Sequence, residues 1–170
     1  MRFLRGNALD RWSDRDLVVT TNIGWDPKTL RNNMGAGLVS YIAERHPEVQ
    51  VWYGTLCMQM HADGQYQPVF HEKLRIWFLP VKPLLDIRDP ERSWAQSAKP
   101  DFIEEQLERF AEKIRDRRVV MTLPGCGNGN ADRHQIAALL IKKLGRLPVG
   151  AVTVCDQAMP DEYAGLHLLP

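Results

Sequence analysis

The sequence predicts an α/β protein in which helices cover both faces of a mixed sheet. Short runs of β-branched and apolar residues, typical of buried strands, alternate along the chain with longer segments of helical spacing. Two predicted strands in the middle of the chain follow each other without a helix, which makes the sheet mixed. The composition agrees with a folded protein, since 44% of the 170 residues are hydrophobic and 25% are charged.

The first three predicted elements are a strand, a second strand and a helix. Residues 1–5 predict a short strand, and residues 16–21 form a β-branched apolar run typical of a buried strand that ends at Asn22. From Gly35 onward the apolar residues recur at helical spacing. This helix is expected to end before Pro47, because proline disfavours helical backbone in the residue that precedes it.

The middle of the chain predicts an antiparallel hairpin, or two sheet strands joined by a loop. Residues 49–60 are rich in β-formers, residues 62–65 supply turn residues, and residues 74–79 predict a second strand that ends at Pro80. Residues 84–99 are charged and interrupted by prolines, so we expect a loop there.

The last third of the chain predicts two helices that alternate with two strands. Residues 101–115 carry apolar side chains at three-to-four spacing, as in an amphipathic helix. Residues 118–123 predict a strand, residues 132–144 a helix, and residues 149–155 a last strand. The tail up to Pro170 is expected to be irregular.

Charge and cysteine content exclude several classes of protein. The 22 Lys and Arg residues nearly balance the 21 Asp and Glu residues, which excludes a polybasic protein that binds mainly by neutralising phosphates. The three cysteines are widely spaced and the five histidines lack metal-ligand spacing, so we expect no disulfide, metal or cofactor. Neither a membrane helix of about 20 apolar residues nor a signal peptide is recognisable, so we expect a cytoplasmic protein that contacts no membrane.

Two glycine-rich loops predict an anion site. The first covers residues 32–38 and the second residues 124–130, and each lies between a predicted strand and a predicted helix. Backbone N–H groups and the helix dipole favour anions at such positions, and glycine lets a ligand approach the backbone closely. Either loop alone is also compatible with a simple flexible connection. Together, at the carboxyl ends of neighbouring strands, they suit a diphosphate.

Other phosphate-binding motifs fit the sequence poorly. No Gly-Lys-Ser or Gly-Lys-Thr triplet occurs, so the sequence contains no P-loop. Gly35 and Gly37 begin a dinucleotide fingerprint, but Ser40 occupies the position of its third glycine. A nicotinamide-dependent dehydrogenase is therefore disfavoured.

A series of short motifs resembles the macrodomain family. They occur in the family's order between about residue 2 and residue 155, and the similar subgroup contains ADP-ribose 1''-phosphate processing proteins and DNA ADP-ribosyl glycohydrolase antitoxins. This resemblance implies a single three-layer α/β/α domain over residues 1–170. The segments that carry it are residues 6–9, 18–22, 33–38, 78–82, 97–107 and 123–129.

The resemblance implies an ADP-ribose site. Asn7 and Ala8 are expected to meet the adenine, although the family usually has an Asp at position 7, so Asn7 offers an uncharged acceptor. Asn22 is expected to bind the distal ribose, and Asp156 lies near the adenine side. The residues expected to line the diphosphate and distal ribose are Met34, Gly35, Ala36, Gly37 and Leu38 in the first loop, and Pro124, Gly125, Cys126, Gly127, Asn128, Gly129 and Asn130 in the second.

Lys82 is the main catalytic candidate, with Asn22 orienting the distal ribose beside it. Lys82 matches the lysine of the glycohydrolase subgroup, and it is also compatible with a solvated surface lysine. An ammonium there can stabilise charge near a diphosphate, and a desolvated amine can act as base or nucleophile at the anomeric carbon. The sequence departs from the family at Pro83, where a tryptophan soon after the lysine is missing, and at Gly129, where one subgroup has an Asp.

The resemblance therefore predicts a protein that binds ADP-ribose or a derivative and hydrolyses an ADP-ribosyl linkage or ADP-ribose 1''-phosphate. The alternatives are a binding module without turnover and a diverged domain for another nucleotide signal. A nucleophilic thiol at Cys126 beside His134 is a further hypothesis. Expected partners are ADP-ribose or an ADP-ribosylated substrate, with nucleic acid only in that modified form. Residues 83–99 are expected to select the group attached to the ribose.

Overall fold

A computed structural model describes residues 1–168, and these form a six-stranded sheet with four α-helices. Most predicted elements are confirmed within a few residues, and Pro170 lies outside the described residues. Two short 3-10 helices cover Ala8–Arg11 and Pro90–Ala95. The elements in chain order are β1 (Arg2–Arg5), β2 (Asp16–Asn22), α1 (Leu38–Arg45), α2 (Glu48–Ala62), β3 (Val69–His71), β4 (Ile76–Lys82), α3 (Pro100–Lys113), β5 (Val119–Met121), α4 (Arg133–Leu144) and β6 (Val152–Asp156).

The sheet is mixed, as the sequence predicts, and its strand order is β1-β6-β5-β2-β4-β3. Only the edge strand β3 runs antiparallel to its neighbour, β4, while all other pairs among the described residues are parallel. The carboxyl ends of the five parallel strands therefore lie along one edge of the sheet. In open α/β sheets, this edge is where ligands bind.

Helices cover both faces of the sheet because its central strands are buried on both sides. In β2, Val18 packs into the core beneath α3 and α4, whereas Leu17 and Val19 pack into the core beneath α1 and α2. In β4, Trp77 and Phe78 divide between the same two cores. Successive side chains of a strand point to opposite faces, so one apolar run supplies both layers.

The segment predicted as a strand over residues 49–60 is helix α2, so the predicted hairpin with residues 74–79 is wrong. Its β-branched and aromatic content favoured a strand, but the buried side chains are Val49, Tyr53, Cys57 and Met60. These residues are three or four positions apart, which is the spacing of one helix face. Burial of this face against the sheet outweighs local β-propensity, which is a weaker preference.

Strand β4 continues through Pro80 to Lys82, so the predicted strand end at Pro80 is also wrong. Strand β3 pairs only with residues 76–78 of β4. Pro80 lies beyond that pairing, so its missing N–H removes no hydrogen bond to β3. The extension matters for the site because it brings Lys82 to the carboxyl edge of the sheet.

Gly54 allows α2 to pack directly against the backbone of the loop that leads to the first glycine-rich segment. A Cβ atom on Gly54 would lie 1.9 Å from the Leu30 carbonyl oxygen and 2.7 Å from the Asn32 nitrogen. Leu30 itself has a positive φ of 58°, a backbone conformation that residues other than glycine seldom adopt.

Replacing Gly54 with alanine should lower the free energy of unfolding by about 3 kcal/mol, because helix and loop must separate. Urea denaturation followed by circular dichroism measures the change. The matched control is Gly127→Ala, where an added Cβ meets nothing within 4 Å and φ is not positive. Equal stability of the two variants would contradict the close approach of α2 to this loop.

No helix among residues 1–168 is long and apolar enough to cross a bilayer.

Candidate functional site

A cavity of about 690 Å³ lies at the carboxyl ends of β2, β4, β5 and β6. This volume is in the range of small-molecule and cofactor sites. The two glycine-rich loops and the segment around Trp94 form its walls. Its lining residues are Thr20, Thr21, Asn22, Asn33, Met34, Gly35, Ala36, Gly37, Leu38, Val39, Val81, Lys82, Trp94, Ala95, Thr122, Leu123, Gly125, Gly127, Asn128, Gly129, Asn130, Arg133 and Asp156.

Asn22 holds the first glycine-rich loop in place at the end of β2. Its Nδ2 donates to the Asn33 carbonyl at 2.7 Å, and its Oδ1 accepts from the Gly24 nitrogen at 2.9 Å and from Asn32 Nδ2 at 3.0 Å. Both acceptor positions of the amide oxygen are therefore used. Of the Asn22 amide, one N–H therefore remains for the distal ribose that the resemblance assigns to this residue.

A register shift between β2 and β4 places Asn22 opposite Lys82. Thr21 pairs with Pro80, but the next residue of β2 pairs two positions further along β4, at Lys82. The catalytic candidates are therefore neighbours at the carboxyl edge, and the Lys82 carbonyl also accepts from the Ile23 nitrogen. No periodic pattern in the sequence encodes this irregularity.

Lys82 connects two walls of the cavity. Its Nζ donates to the Trp94 carbonyl at 2.8 Å and to the Asn128 carbonyl at 3.1 Å, which leaves one N–H unused. The side chain is half-buried, and this burial lowers the pKa of the Lys82 amine below its ordinary value. The neutral amine therefore forms at lower pH than in a solvated lysine.

Both glycine-rich loops present backbone N–H groups that have no acceptor among residues 1–168. Three consecutive groups in the first loop and three in the second have no recorded hydrogen bond to any described residue. Helix α1 begins after Gly37, and glycine has no side chain that could cap the helix. The first turn of α1 therefore also has free N–H donors. Consecutive free N–H groups form an anion-binding concavity. They belong to Ala36, Gly37, Leu38, Gly127, Asn128 and Gly129.

The second loop keeps its shape through bonds to its surroundings. The Gly129 carbonyl accepts from the Ala98 nitrogen at 2.9 Å, and the Gly125 carbonyl accepts from the Ala131 nitrogen at 3.0 Å. A Cβ atom on Gly129 would lie 2.4 Å from the Gly125 oxygen and 2.7 Å from Ala98 Cβ. Glycine is therefore required at position 129, since a side chain as large as that of Asp does not fit this loop conformation.

Three charged side chains line the cavity, and cations are in excess. Lys82 lies at the β4 end, whereas Arg133, the first residue of α4, and Asp156, the last residue of β6, lie at the other end. Arg133 Nε is 3.9 Å from Asp156 Oδ1. Together with the free N–H groups, this balance favours an anionic ligand.

The structure brings most of the predicted site residues together. Asn22, Lys82, residues 34–38, Gly125 and residues 127–130 all line the same cavity, and so does Asp156. Pro124 and Cys126 belong to the second loop but do not line the cavity.

Asn7 and Ala8 also lie outside the cavity lining. Asn7 caps the first 3-10 helix, where its Oδ1 accepts from the Leu9 nitrogen at 3.0 Å, and the Ala8 side chain is fully buried. The segment is nevertheless close to the cavity, since the Gly6 nitrogen donates to the Asp156 carbonyl.

Sequence reasoning missed Arg133 and Trp94 as lining residues. Asp132 caps α4 by accepting from the Gln135 nitrogen, and Arg133 is the first residue of that helix. A cation at a helix start directly after the second glycine-rich loop was the available signal for Arg133. Trp94 lies in the predicted loop, in a short 3-10 helix that covers Pro90–Ala95, and is 49% exposed. A tryptophan within a charged, proline-rich segment was the available signal there.

A thiol site at Cys126 is disfavoured by the geometry. Cys126 is buried outside the cavity lining, and burial raises the pKa of its thiol to about 12. His134 is exposed and contacts Glu162 at 2.8 Å. The raised pKa leaves very little thiolate at Cys126 near neutral pH, and the thiolate is the reactive form.

We expect iodoacetamide at pH 8 to leave Cys126 unmodified in the folded protein and to modify it after unfolding in urea. Mass spectrometry of the digested protein measures both states, and the unfolded sample is the internal control. Rapid alkylation of Cys126 in the folded protein would support a reactive thiol at this position.

No group of His, Cys, Asp and Glu side chains in residues 1–168 is arranged to hold a metal ion.

The fold of this chain is similar to that of solved macrodomain structures. The macrodomain of Mycobacterium tuberculosis DarG has a TM-score of 0.67 and 21% identity, covering 91% of this chain and 97% of that chain. The macrodomain of Thermus aquaticus DarG has a TM-score of 0.65 and 21% identity, covering 91% and 96%. Thermosipho africanus DarTG in complex with ADP-ribose has a TM-score of 0.62 and 19% identity, covering 94% of this chain and 41% of that chain.

These likenesses establish the macrodomain fold, and they confirm the predicted α/β class. No protein-family model matches the sequence, and no curated protein sequence matches it.

Proposed function

We propose that this chain, which has the macrodomain fold, binds ADP-ribose or a derivative in its cavity and hydrolyses an ADP-ribosyl linkage there. One observation carries the proposal: two glycine-rich loops offer three free N–H groups each to a cavity that also contains Lys82 and Arg133. Such an arrangement suits a diphosphate. The presence of ADP-ribose in the similar Thermosipho africanus structure supports the choice of ligand.

In the proposed complex, each part of ADP-ribose meets a chemically matched part of the cavity. The diphosphate lies between the two glycine-rich loops and accepts their free N–H groups. The distal ribose lies at the ends of β2 and β4, where Asn22 has one N–H left to donate to a hydroxyl and Lys82 has one as well. The adenosine lies toward the ends of β5 and β6.

In the proposed reaction, the bond between ribose C1'' and its substituent breaks, and a bond forms between C1'' and the oxygen of a water molecule. The leaving group departs with the electron pair of that bond and takes up a proton, while the attacking water loses one. The transition state has oxocarbenium character, so a group that removes a proton near C1'' accelerates the reaction. Lys82 supplies an amine for this step, and its lowered pKa supports that role. As a base, the amine takes the proton from the attacking water. As a nucleophile, the amine first bonds to C1'' while the leaving group departs, and water then breaks that C1''–nitrogen bond and returns the amine.

Isothermal titration calorimetry with ADP-ribose tests the binding step, with AMP and NAD as controls. We expect saturable binding of ADP-ribose and much weaker binding of AMP, because AMP lacks the second phosphate and the distal ribose. Absence of ADP-ribose binding at millimolar ligand would overturn the proposed function and leave the macrodomain fold intact.

Release of free ADP-ribose tests hydrolysis. The substrates are ADP-ribose 1''-phosphate, an ADP-ribosylated protein and an ADP-ribosylated DNA strand, since all three carry their substituent on the same carbon. Chromatography separates ADP-ribose from each substrate. We expect turnover of at least one of them, and the preferred one identifies the group that the segment around Trp94 accommodates.

A binding module without turnover is the second candidate, and one observation favours it. Lys82 Nζ already donates to the Trp94 and Asn128 carbonyls, which gives this lysine a structural role independent of catalysis. Saturable ADP-ribose binding together with no release from any of the three substrates would support this candidate over the hydrolase.

A further inference from the structure

A second cavity, the amino-edge pocket, lies at the opposite edge of the sheet from the candidate site. Its volume is about 340 Å³, and its walls are the segment that precedes β2 and the turn that joins β3 to β4. Strand β2 has seven residues, so at about 3.3 Å per residue the two edges of the sheet are about 20 Å apart. The cations that line the pocket are Arg15, Lys73 and Arg75, and no Asp or Glu of residues 1–168 lines it.

Arg75 is fixed beside this pocket by a buried carboxylate. Its Nε and Nη2 lie 3.0 and 2.9 Å from Oδ1 of Asp16, whose side chain is 4% exposed. Arg117 Nη1 donates to the other Asp16 oxygen at 2.9 Å. Two arginines therefore share one carboxylate, and Arg75 Nη1 has no recorded acceptor among the described residues. Its two N–H groups are available to a ligand.

Positive charge exceeds negative charge around the amino-edge pocket. Lys73 is exposed, and its Nζ has no recorded hydrogen bond or ion pair within residues 1–168. Arg117 and Arg118 adjoin the three cations of the lining, so five cations face three carboxylates. Each of these carboxylates already lies within 4 Å of an arginine, and they belong to Asp14, Asp16 and Glu72. The uncompensated charge favours an anionic ligand.

The amino-edge pocket also has an apolar part that includes an indole ring. Leu9, Trp12 and Leu74 pack against the core beneath α1 and α2 and remain half-buried. Trp12 pairs with no other aromatic ring of the described residues, whereas the core tryptophans do. The part of its indole outside the core can therefore contact the face of a planar ring. The neighbouring Ser13 adds an exposed hydroxyl to the lining.

We propose that the amino-edge pocket is a second ligand site, which binds a nucleoside monophosphate. The phosphate contacts Lys73 and Arg75 Nη1, and the base lies against Trp12. Free N–H donors on cations suit a phosphate, and an indole suits a base, because every base has a flat aromatic face. The pocket volume is near the lower limit of small-molecule sites, which suits a single nucleotide. The inference is independent of the proposed function, since these residues do not line the first cavity.

NMR of the tryptophan indole N–H groups tests the second site in the full chain, with AMP as the probe. Trp12 lines the amino-edge pocket and Trp94 lines the first cavity, so their signals report the two sites separately. The variants Trp12→Phe and Trp94→Phe identify the two signals. We expect AMP to shift the Trp12 signal with a dissociation constant in the millimolar range. Adenosine alone and inorganic phosphate alone should bind at least fivefold more weakly, because each lacks half of the contacts.

Lys73→Ala tests the phosphate contact, since removal of this exposed side chain leaves the packing of the fold unchanged. We expect the dissociation constant of AMP at the Trp12 signal to rise at least fivefold. Lys113→Ala removes an exposed lysine from the end of α3 and should leave that constant within twofold of wild type.

Three results would overturn the inference. They are an unshifted Trp12 signal at 20 mM AMP, unchanged AMP affinity in Lys73→Ala, and equal affinities for AMP and inorganic phosphate. The last result would leave a site for a bare anion and remove the role of the base. None of these results bears on ADP-ribose binding, which the Trp94 signal reports, so failure of the second site is distinguishable from failure of the proposed function.

Discussion

Replacing Asn22 with aspartate should weaken ADP-ribose binding by at least 100-fold, although the side chain keeps its shape. The Asn22 amide donates to the Asn33 carbonyl, and a carboxylate oxygen at the same place faces that carbonyl with no proton between them. The new negative charge also lies in the cavity that is proposed to hold the diphosphate, and repels it. Titration calorimetry at pH 7.5 measures the affinity.

A pH series separates the two causes from simple unfolding. Protonation of the introduced carboxyl restores a donor and removes the charge, so we expect Asn22→Asp to regain affinity as the pH falls toward 5. The control is Gln65→Glu, which adds the same charge on an exposed turn and should leave the affinity within twofold of wild type. Undiminished binding by Asn22→Asp would contradict a role for Asn22 in the ligand site.

Replacing Lys82 with alanine should reduce turnover by at least 1,000-fold while ADP-ribose binding falls less than tenfold. The amine is the proposed reacting group, whereas most of the binding is assigned to the glycine-rich loops. Single-turnover release of ADP-ribose measures the first quantity, and calorimetry measures the second. Lys113→Ala removes an exposed lysine from the end of α3 and serves as the matched control.

Lys82→Arg distinguishes amine chemistry from the effect of charge alone. Arginine keeps a cation that can donate to the Trp94 and Asn128 carbonyls, but it does not lose a proton at accessible pH. We expect this variant to bind ADP-ribose and to be as inactive as the alanine variant. Full activity of Lys82→Arg would contradict the base or nucleophile role and assign the effect to the positive charge.

The pH dependence of turnover follows from the direction of the Lys82 pKa. Burial lowers this pKa, so the neutral, reactive fraction at any given pH is larger than in an ordinary lysine with a pKa of about 10.4. Turnover should therefore rise with pH and reach its plateau below that value. A rate that falls as the pH rises from 7 to 9 would contradict the need for a deprotonated amine.

The α/β class and most elements could be predicted because the buried strands are short, β-branched and bounded by turn residues. Helix α2 could not, since Val51, Trp52 and Tyr53 favour a strand locally. Only the recurrence of Val49, Tyr53 and Cys57 at four-residue intervals indicated the helix. Tertiary packing decided this segment, and a short window of sequence does not contain the face against which it packs.

The loops of the candidate site were predictable, whereas its side-chain geometry was not. Glycine-rich segments after strands follow from backbone chemistry and can be recognised in the sequence. The pairing of Asn22 with Lys82 depends on a register shift in β4, and the bonds from Lys82 to Trp94 and Asn128 join segments far apart in the chain. Such contacts exist only once the sheet is assembled.

The two carbonyl bonds of Lys82 also constrain the chemistry of its neutral form. A neutral amine keeps two N–H groups, which can stay on the Trp94 and Asn128 carbonyls, and its carbon stem fills a third tetrahedral position. The nonbonding electron pair is then confined to the fourth position, in the direction that neither wall occupies. Loss of the proton thus leaves the cavity walls joined and sets the trajectory along which the nitrogen meets an electrophile.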